Sequence, residues 1–112
     1  MKKNTYFIDL DGTIFKYRKF ESYEINEAEV ITSSKIFLDK IRKQGHMIII
    51  TTARPENLKN FTVNELSKNN IQYDRLLMGI GRGIRYLIND LDPQKTYDRA
   101  FAINVKRDEG IS

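Results

Sequence analysis

Two carboxylates spaced two residues apart, Asp9 and Asp11, followed at once by Gly12 and Thr13, are the residues of this chain best suited to chemistry. They come directly after the apolar run Tyr6-Phe7-Ile8, where a buried strand would give way to a loop. At ordinary residue usage the four fixed positions of Asp-x-Asp-Gly-Thr recur by chance in about one chain per thousand of this length. Carboxylates so spaced share a face on a regular strand and converge where the strand ends in a loop. One of the pair suits nucleophilic attack and the other suits proton transfer. Gly12 permits a tight turn that would bring the backbone N–H groups of Leu10, Gly12 and Thr13 round to face an anion. A calcium-binding loop starting at Asp9 is excluded, because it needs glycine at its sixth position and glutamate at its twelfth; Ile14 and Phe20 stand there.

Two further clusters sit at the ends of apolar runs. Thr51-Thr52-Ala53-Arg54 follows His46 to Ile50, and a hydroxyl there can donate to a phosphoryl oxygen while Arg54 makes a bidentate contact with it. Leu87-Ile88-Asn89-Asp90-Leu91-Asp92 is a third run ending in carboxylates, and Asp90 would bring a hard oxygen ligand beside Asp9 and Asp11, a set suited to magnesium. Open parallel sheets bind ligands along the carboxyl edge of their strands, so three such ends reinforce one another.

These clusters need a parallel sheet to bring them together, and the alternation of short apolar runs with amphipathic stretches predicts one. The expected strands are Tyr6 to Ile8, His46 to Ile50, Arg75 to Met78, Arg85 to Ile88 and Ala100 to Val105. Residues 14–25 read as a small hairpin or flap. A first helix is expected from a capping box formed by Asn26 and Glu29 to a stop at Gly45, and a second carries Pro55 in its first turn. Only Gly79 to Ile84 separate the third and fourth strands, too few for the usual crossover helix. Part of one sheet face would then lack cover, which predicts a homo-oligomer.

Composition bounds the rest. A chain of 112 residues with 40% apolar and 30% charged residues is one globular domain, residues 1–112. No apolar run approaches the roughly 20 residues of a membrane span, and the start is too short in apolar residues for a signal peptide, so a cytoplasmic location is expected. The lack of cysteine removes disulfides and thiol chemistry, and one histidine rules out a His-rich metal site. The net charge of +4 favours anionic partners weakly.

The chain resembles the haloacid dehalogenase superfamily of aspartate-nucleophile phosphohydrolases over nearly its whole length. Tyr6 to Thr13 is similar to that family's first motif, Ile48 to Thr52 to its second, and Tyr86 to Asp92 to its fourth. The resemblance implies a three-layer Rossmann-like α/β domain with a mainly parallel five-stranded sheet, no cap, and little helix cover between strands three and four. It implies that Asp9 attacks phosphorus, that Asp11 serves as general acid and base, and that Thr52, or Thr51 in its place, holds the phosphoryl group. Mg2+ would be held by Asp9, the carbonyl of Asp11 and Asp90. The family's third motif supplies a lysine, yet none lies between Lys68 and Lys95; Arg82 and Arg85 stand in that region. Thr-Ala-Arg after the second strand is similar to small phosphatases of capsule and lipopolysaccharide biosynthesis. The expected activity is a phosphomonoesterase acting on a sugar phosphate of surface-polysaccharide or nucleotide-sugar metabolism. Alternatives are a polynucleotide 3′-phosphatase and a non-catalytic binding or oligomerisation module.

Overall fold

The computed structural model describes residues 3–19, 22–23 and 25–112. Three parallel strands, β1 (Thr5–Asp9), β2 (Met47–Thr51) and β3 (Arg75–Leu77), lie in the order β1-β2-β3. Between them run α1 (Thr32–Lys43) and, after a 3-10 turn at Glu56–Leu58, α2 (Lys59–Lys68). Register pairs Asp9 with Thr51, and Thr51 in turn with Leu77, so all three strands finish at one level.

Both crossovers step the same way across the sheet, and right-handed crossovers of that kind deliver both helices to the same face. Packing agrees. Leu38 and Ile41 of α1 and Leu66 of α2 share one core with Ile8, Leu10, Ile48 and Ile50. Phe7, Met47 and Leu77 point to the other face and remain exposed there. The described residues therefore form two layers rather than three.

Helix α1 begins later than the sequence suggests. Asn26 and Glu29 do not cap it; the N-cap position is Ile31, without a side-chain cap. Residues 29–31 are instead taken up in pairing with the segment after β1, through Lys16 N–H to Glu29 at 2.8 Å and Ile31 N–H to Ile14 at 2.9 Å. An isolated antiparallel bridge joins Phe15 to Val30. The expected flap at 14–25 thus starts by pairing with residues 29–31 rather than with itself; Phe20, Glu21 and Glu24 lie outside the described residues. Gly45 ends the turn after α1 at φ 88°, as its place in the sequence predicts. Pro55 sits one residue before the 3-10 turn, where its missing N–H costs nothing.

The largest difference from expectation lies beyond β3. Arg85 to Ile88 and Ala100 to Val105 form no strands, and among the described residues the sheet has three strands, not five. Residues 81–105 make an arm with two legs. Its turn is closed by Asp92, which accepts the N–H of Gln94 on its carboxylate at 2.9 Å and that of Lys95 on its carbonyl at 3.0 Å. Arg99 bonds Asp90 across the legs at 2.6 Å. Both roots are fastened to the body. Ile80 donates its N–H to the Thr52 carbonyl at 3.0 Å, and Asp108 donates to Gly12 at 2.8 Å. The tail 106–112 packs back on the loop after β1, with Asp108 accepting the Tyr17 N–H at 2.7 Å and Arg107 lying 4.1 Å over the Tyr17 ring. The molecule measures 52 × 30 × 25 Å. Strand-forming sequence is present in the arm, but a strand needs an edge to pair with.

Candidate active site

Alternation along β1 sets the first feature of the site. Ile8 and Leu10 point into the core, so Asp9 between them points the other way, at the carboxyl rim. Thr51 is its register partner and shares its side of the pleat. The rim leaves Asp9 accessible to solvent, yet the protein around its carboxyl pushes its pKa above the ordinary aspartate value. Desolvation is the largest cause. The positive charge of Arg85 opposes it, the negative charge of Asp11 adds to it, and the N–H of Leu10 and the hydroxyl of Thr13 lower it. Thr13 Oγ1 donates to Asp9 Oδ2 at 3.4 Å.

Asp11 stands in a different setting. Arg54 grips it bidentately, Nε to Oδ2 at 2.9 Å and Nη2 to Oδ1 at 2.8 Å. The other nitrogen of that guanidinium, Nη1, reaches Glu65 Oε1 at 2.9 Å and Thr62 Oγ1 at 3.0 Å. Arg18 bonds Glu65 from the far side at 2.8 Å. Tyr23 donates its hydroxyl to Asp11 Oδ2 at 3.2 Å, and its ring lies beneath both guanidinium groups, 4.5 Å from Arg54 and 4.8 Å from Arg18. Two cations and two carboxylates therefore balance in a nearly dry cluster. Burial works against the charge of Arg54, but the bonds to Asp11 and Glu65 outweigh it and hold its pKa above the usual arginine value. Desolvation and the Asp11 carboxylate raise the pKa of Tyr23.

This geometry corrects three expectations. Arg54 is 2% exposed and spent on Asp11 and Glu65, so it orients the second carboxylate and does not reach out to an anion. The turn at Gly12 (φ 90°) forms, but its N–H groups are turned inward: Leu10 donates to Thr51, Gly12 to Phe15 and Thr13 to Leu10. Asp90 is on the arm, paired with Arg99 and not beside Asp9 and Asp11, and no group of three acidic or metal-ligating side chains forms among the described residues.

Thr52 is buried, and its Oγ1 accepts the N–H of Arg54 at 3.1 Å, which closes the turn after β2 and leaves its own proton free to donate. Arg85 lies within electrostatic reach of Asp9, whereas Arg82 is an exposed residue at the base of the arm. Thr62, Glu65 and Tyr23, which touch Arg54, and Arg18, which bonds Glu65, carry no motif. The one clue in the sequence is that Thr62 and Glu65 are polar residues three apart on the side of α2 that also carries Leu66. A cleft of about 490 Å³ lined by Val63, Ser67, Ile71 and Tyr73 opens at the opposite, amino end of the sheet.

A strand running into two carboxylates and a tight glycine turn, with a hydroxyl pair on the next strand, is matched by a family model for haloacid dehalogenase-like hydrolases over residues 6–74. The chain belongs to the haloacid dehalogenase-like hydrolases. No curated protein sequence matches it. Among solved structures, a chain of a Pnkp1/Rnl/Hen1 complex superposes with a TM-score of 0.61 at 25% identity, covering 75% of this chain. This chain spans 30% of that one. A crystal structure from Vibrio cholerae superposes at 0.54 with 20% identity, covering 76% of this chain and 79% of that one, which speaks for a shared fold. The haloacid dehalogenase-like match ends at residue 74, before the arm. Among the described residues no helix is long and apolar enough to cross a membrane.

Proposed function

We infer that this haloacid dehalogenase-like chain is a magnesium-dependent phosphomonoesterase that uses Asp9 as nucleophile. The observation that carries the reading is the contrast between the two carboxylates: Asp9 is accessible at the rim, and Asp11 is locked beside it by Arg54. In the first step an Asp9 oxygen bonds to phosphorus as the P–O ester bond breaks, and the departing alkoxide takes a proton from Asp11, which carries that proton in place of one of its Arg54 bonds. Water then attacks the aspartyl-phosphate, Asp11 takes a proton from it, and phosphate leaves with Asp9 restored. Thr52, with Thr51 beside it, offers a hydroxyl to the phosphoryl oxygens. Arg85 takes the charge-balancing place of the absent lysine, with Arg82 further out.

Hard oxygens are what the rim offers a cation. The Asp9 carboxylate and the Asp11 carbonyl, which accepts no backbone hydrogen bond among the described residues, suit a small divalent ion that keeps several waters. Magnesium held there supplies charge neutralisation between carboxylate and phosphate.

The substrate proposed is a sugar phosphate. A polynucleotide 3′-phosphate is the second reading, supported by the net charge of +4 and by the likeness to a chain of the Pnkp1/Rnl/Hen1 complex. The test is phosphate release from an aryl phosphate, a sugar-phosphate panel and a 3′-phosphorylated oligonucleotide, with magnesium and with chelator, for wild type and Asp9→Asn. Magnesium-dependent release that Asp9→Asn abolishes supports the reading. Release that survives in Asp9→Asn overturns it. Steep loss of binding between low and moderate salt marks the polynucleotide.

A further inference from the structure

The tail brings a cation to the Asp9 loop for which the chemistry above has no role. Arg107 lies over Gly12: a Cβ added there would stand 3.3 Å from Arg107 Cγ and 3.8 Å from its Nε. Glycine lets the side chain settle on the loop, and Gly12 is buried beneath it. The residues on either side of Gly12 belong to the site. Asp11 precedes it, and Thr13, whose hydroxyl meets Asp9 at 3.4 Å, follows it. Arg107 therefore stands one residue from that contact, ~3.8 Å along the backbone.

The guanidinium is held by its face. It stacks 4.1 Å over the Tyr17 ring, and the Tyr17 N–H donates to Asp108 Oδ1 at 2.7 Å. Asp108 in turn donates its own N–H to the Gly12 carbonyl at 2.8 Å, from a left-handed backbone (φ 66°) that aspartate tolerates. Glu109 closes the turn on the Lys106 carbonyl at 3.2 Å, and the Ile111 N–H is anchored on Ser34 Oγ at 3.1 Å. Residues 106–111 are thus a built turn, fastened to the loop after β1 and to the start of α1.

Stacking occupies the flat face of a guanidinium and leaves its edge, with N–H donors in a fixed fork, free for an anion. Arg54 and Arg18 have no such freedom, because Asp11 and Glu65 close around them. Arg107 is exposed and forms no ion pair among the described residues. A preformed, unpaired fork at the edge of a phosphoryl-transfer centre suits bidentate binding of a phosphate or carboxylate.

We propose that Arg107, stacked on Tyr17, binds a second anionic group of the substrate, next to the phosphoryl group that Asp9 attacks. The proposal rests on the phosphatase reading and narrows it: the substrate carries two anionic groups. An acidic sugar phosphate meets that requirement through its carboxylate. A polynucleotide end meets it through the diester beside its 3′-phosphate. A neutral sugar phosphate offers the fork nothing to hold.

Two pairs of compounds isolate that one charge. The first is a dinucleotide 3′-phosphate and its methylphosphonate analogue, whose diester is neutral; the second is a uronic acid 1-phosphate and its primary amide. Within each pair, the ratio of kcat/KM for the charged over the neutral member is read for wild type, Arg107→Gln and Arg107→Lys. Wild type should prefer the charged member of one pair, and Arg107→Gln should lower that preference about tenfold, through KM. Arg107→Lys should restore part of it, since it keeps the charge without the fork. The pair that responds tells diester from carboxylate. Wild type without preference in either pair overturns the proposal. So does Arg107→Gln that slows both members equally, the mark of a merely structural tail. Calorimetric binding of the same compounds separates the two readings. Preferential binding that Arg107→Gln removes, with no turnover by any chain, supports the Arg107 site and overturns the phosphatase; binding indifferent to Arg107 overturns the site.

Discussion

The body and the arm are built from equally apolar strand-like segments, yet only the body folds on itself. Met47 to Thr51 lies between β1 and β3 with Ile48 and Ile50 buried, while Arg85 to Ile88, no less apolar, is exposed along its length. The difference is connection. β1, α1, β2, α2 and β3 follow one another with a helix between strands to return the chain to the start of the sheet, and among the described residues no helix follows β3. An apolar run is therefore a statement about what a segment needs covered; in the body the helices after β1 and β2 supply that cover.

The contrast can be broken first in the body, where the effects are largest. Ile50→Ala empties a fully buried core position between both helices and the sheet, and should cost about 2–5 kcal/mol of unfolding free energy by urea titration. Arg54→Ala strands two carboxylates that it now holds and should cost about 3–5 kcal/mol. Loss of turnover should accompany it even where the protein stays folded, because Asp11 loses its orientation.

Gly110→Ala sharpens the contrast at the arm's second root. Gly110 is buried at φ 82°, and an added Cβ would run into Ser33 and Ile31 at the start of α1. A cost of about 1–3 kcal/mol is expected, with faster hydrogen exchange at Tyr17 and Asp108 than at Ile48 or Ile50. An unchanged exchange pattern would show that the tail is not part of the body. In the arm itself, Ile88→Ser should leave the unfolding free energy of the dilute chain within about 0.5 kcal/mol of wild type, since nothing in its own chain packs on it.

The smallest effect is at Asp9 and has the opposite sign. Its pKa in the folded chain is raised, so its favourable contribution is complete below the unfolded value and is lost as pH rises through the folded one. At neutral pH the ionised carboxylate costs stability, and Asp9→Asn should be slightly more stable than wild type in the metal-free protein. In the same protein, Arg85→Gln should raise the Asp9 pKa further, as read by carbon NMR of the carboxyl. A fall on that substitution would mean that Arg85 is not its neighbour.

Much of the body was legible from residue pattern. The three strands, the stop at Gly45 and the first carboxylate follow from apolar runs, a left-handed glycine and Asp-x-Asp-Gly-Thr, all of which are local signals. The start of α1 was not, because pairing of residues 29–31 with the segment after β1 overrides a capping box at Asn26 and Glu29. Nor was the role of Arg54: a sequence shows a guanidinium near a strand end, but not that Asp11 and Glu65 close around it. Arg85 to Ile88 and Ala100 to Val105 read as strands because their composition suits a sheet. The sequence does mark the short connection Gly79 to Ile84, which lacks the helix that returns the chain after β1 and β2.

The central claim is that Asp9 becomes phosphorylated during turnover. Rapid acid quenching of the enzyme with a phosphorylated substrate, followed by peptide mass analysis, tests it most directly. One added phosphoryl group on the peptide containing Asp9, lost on hydroxylamine treatment and missing from Asp9→Asn, is the predicted result. Turnover at full rate with that peptide unmodified at every quench time would contradict the account.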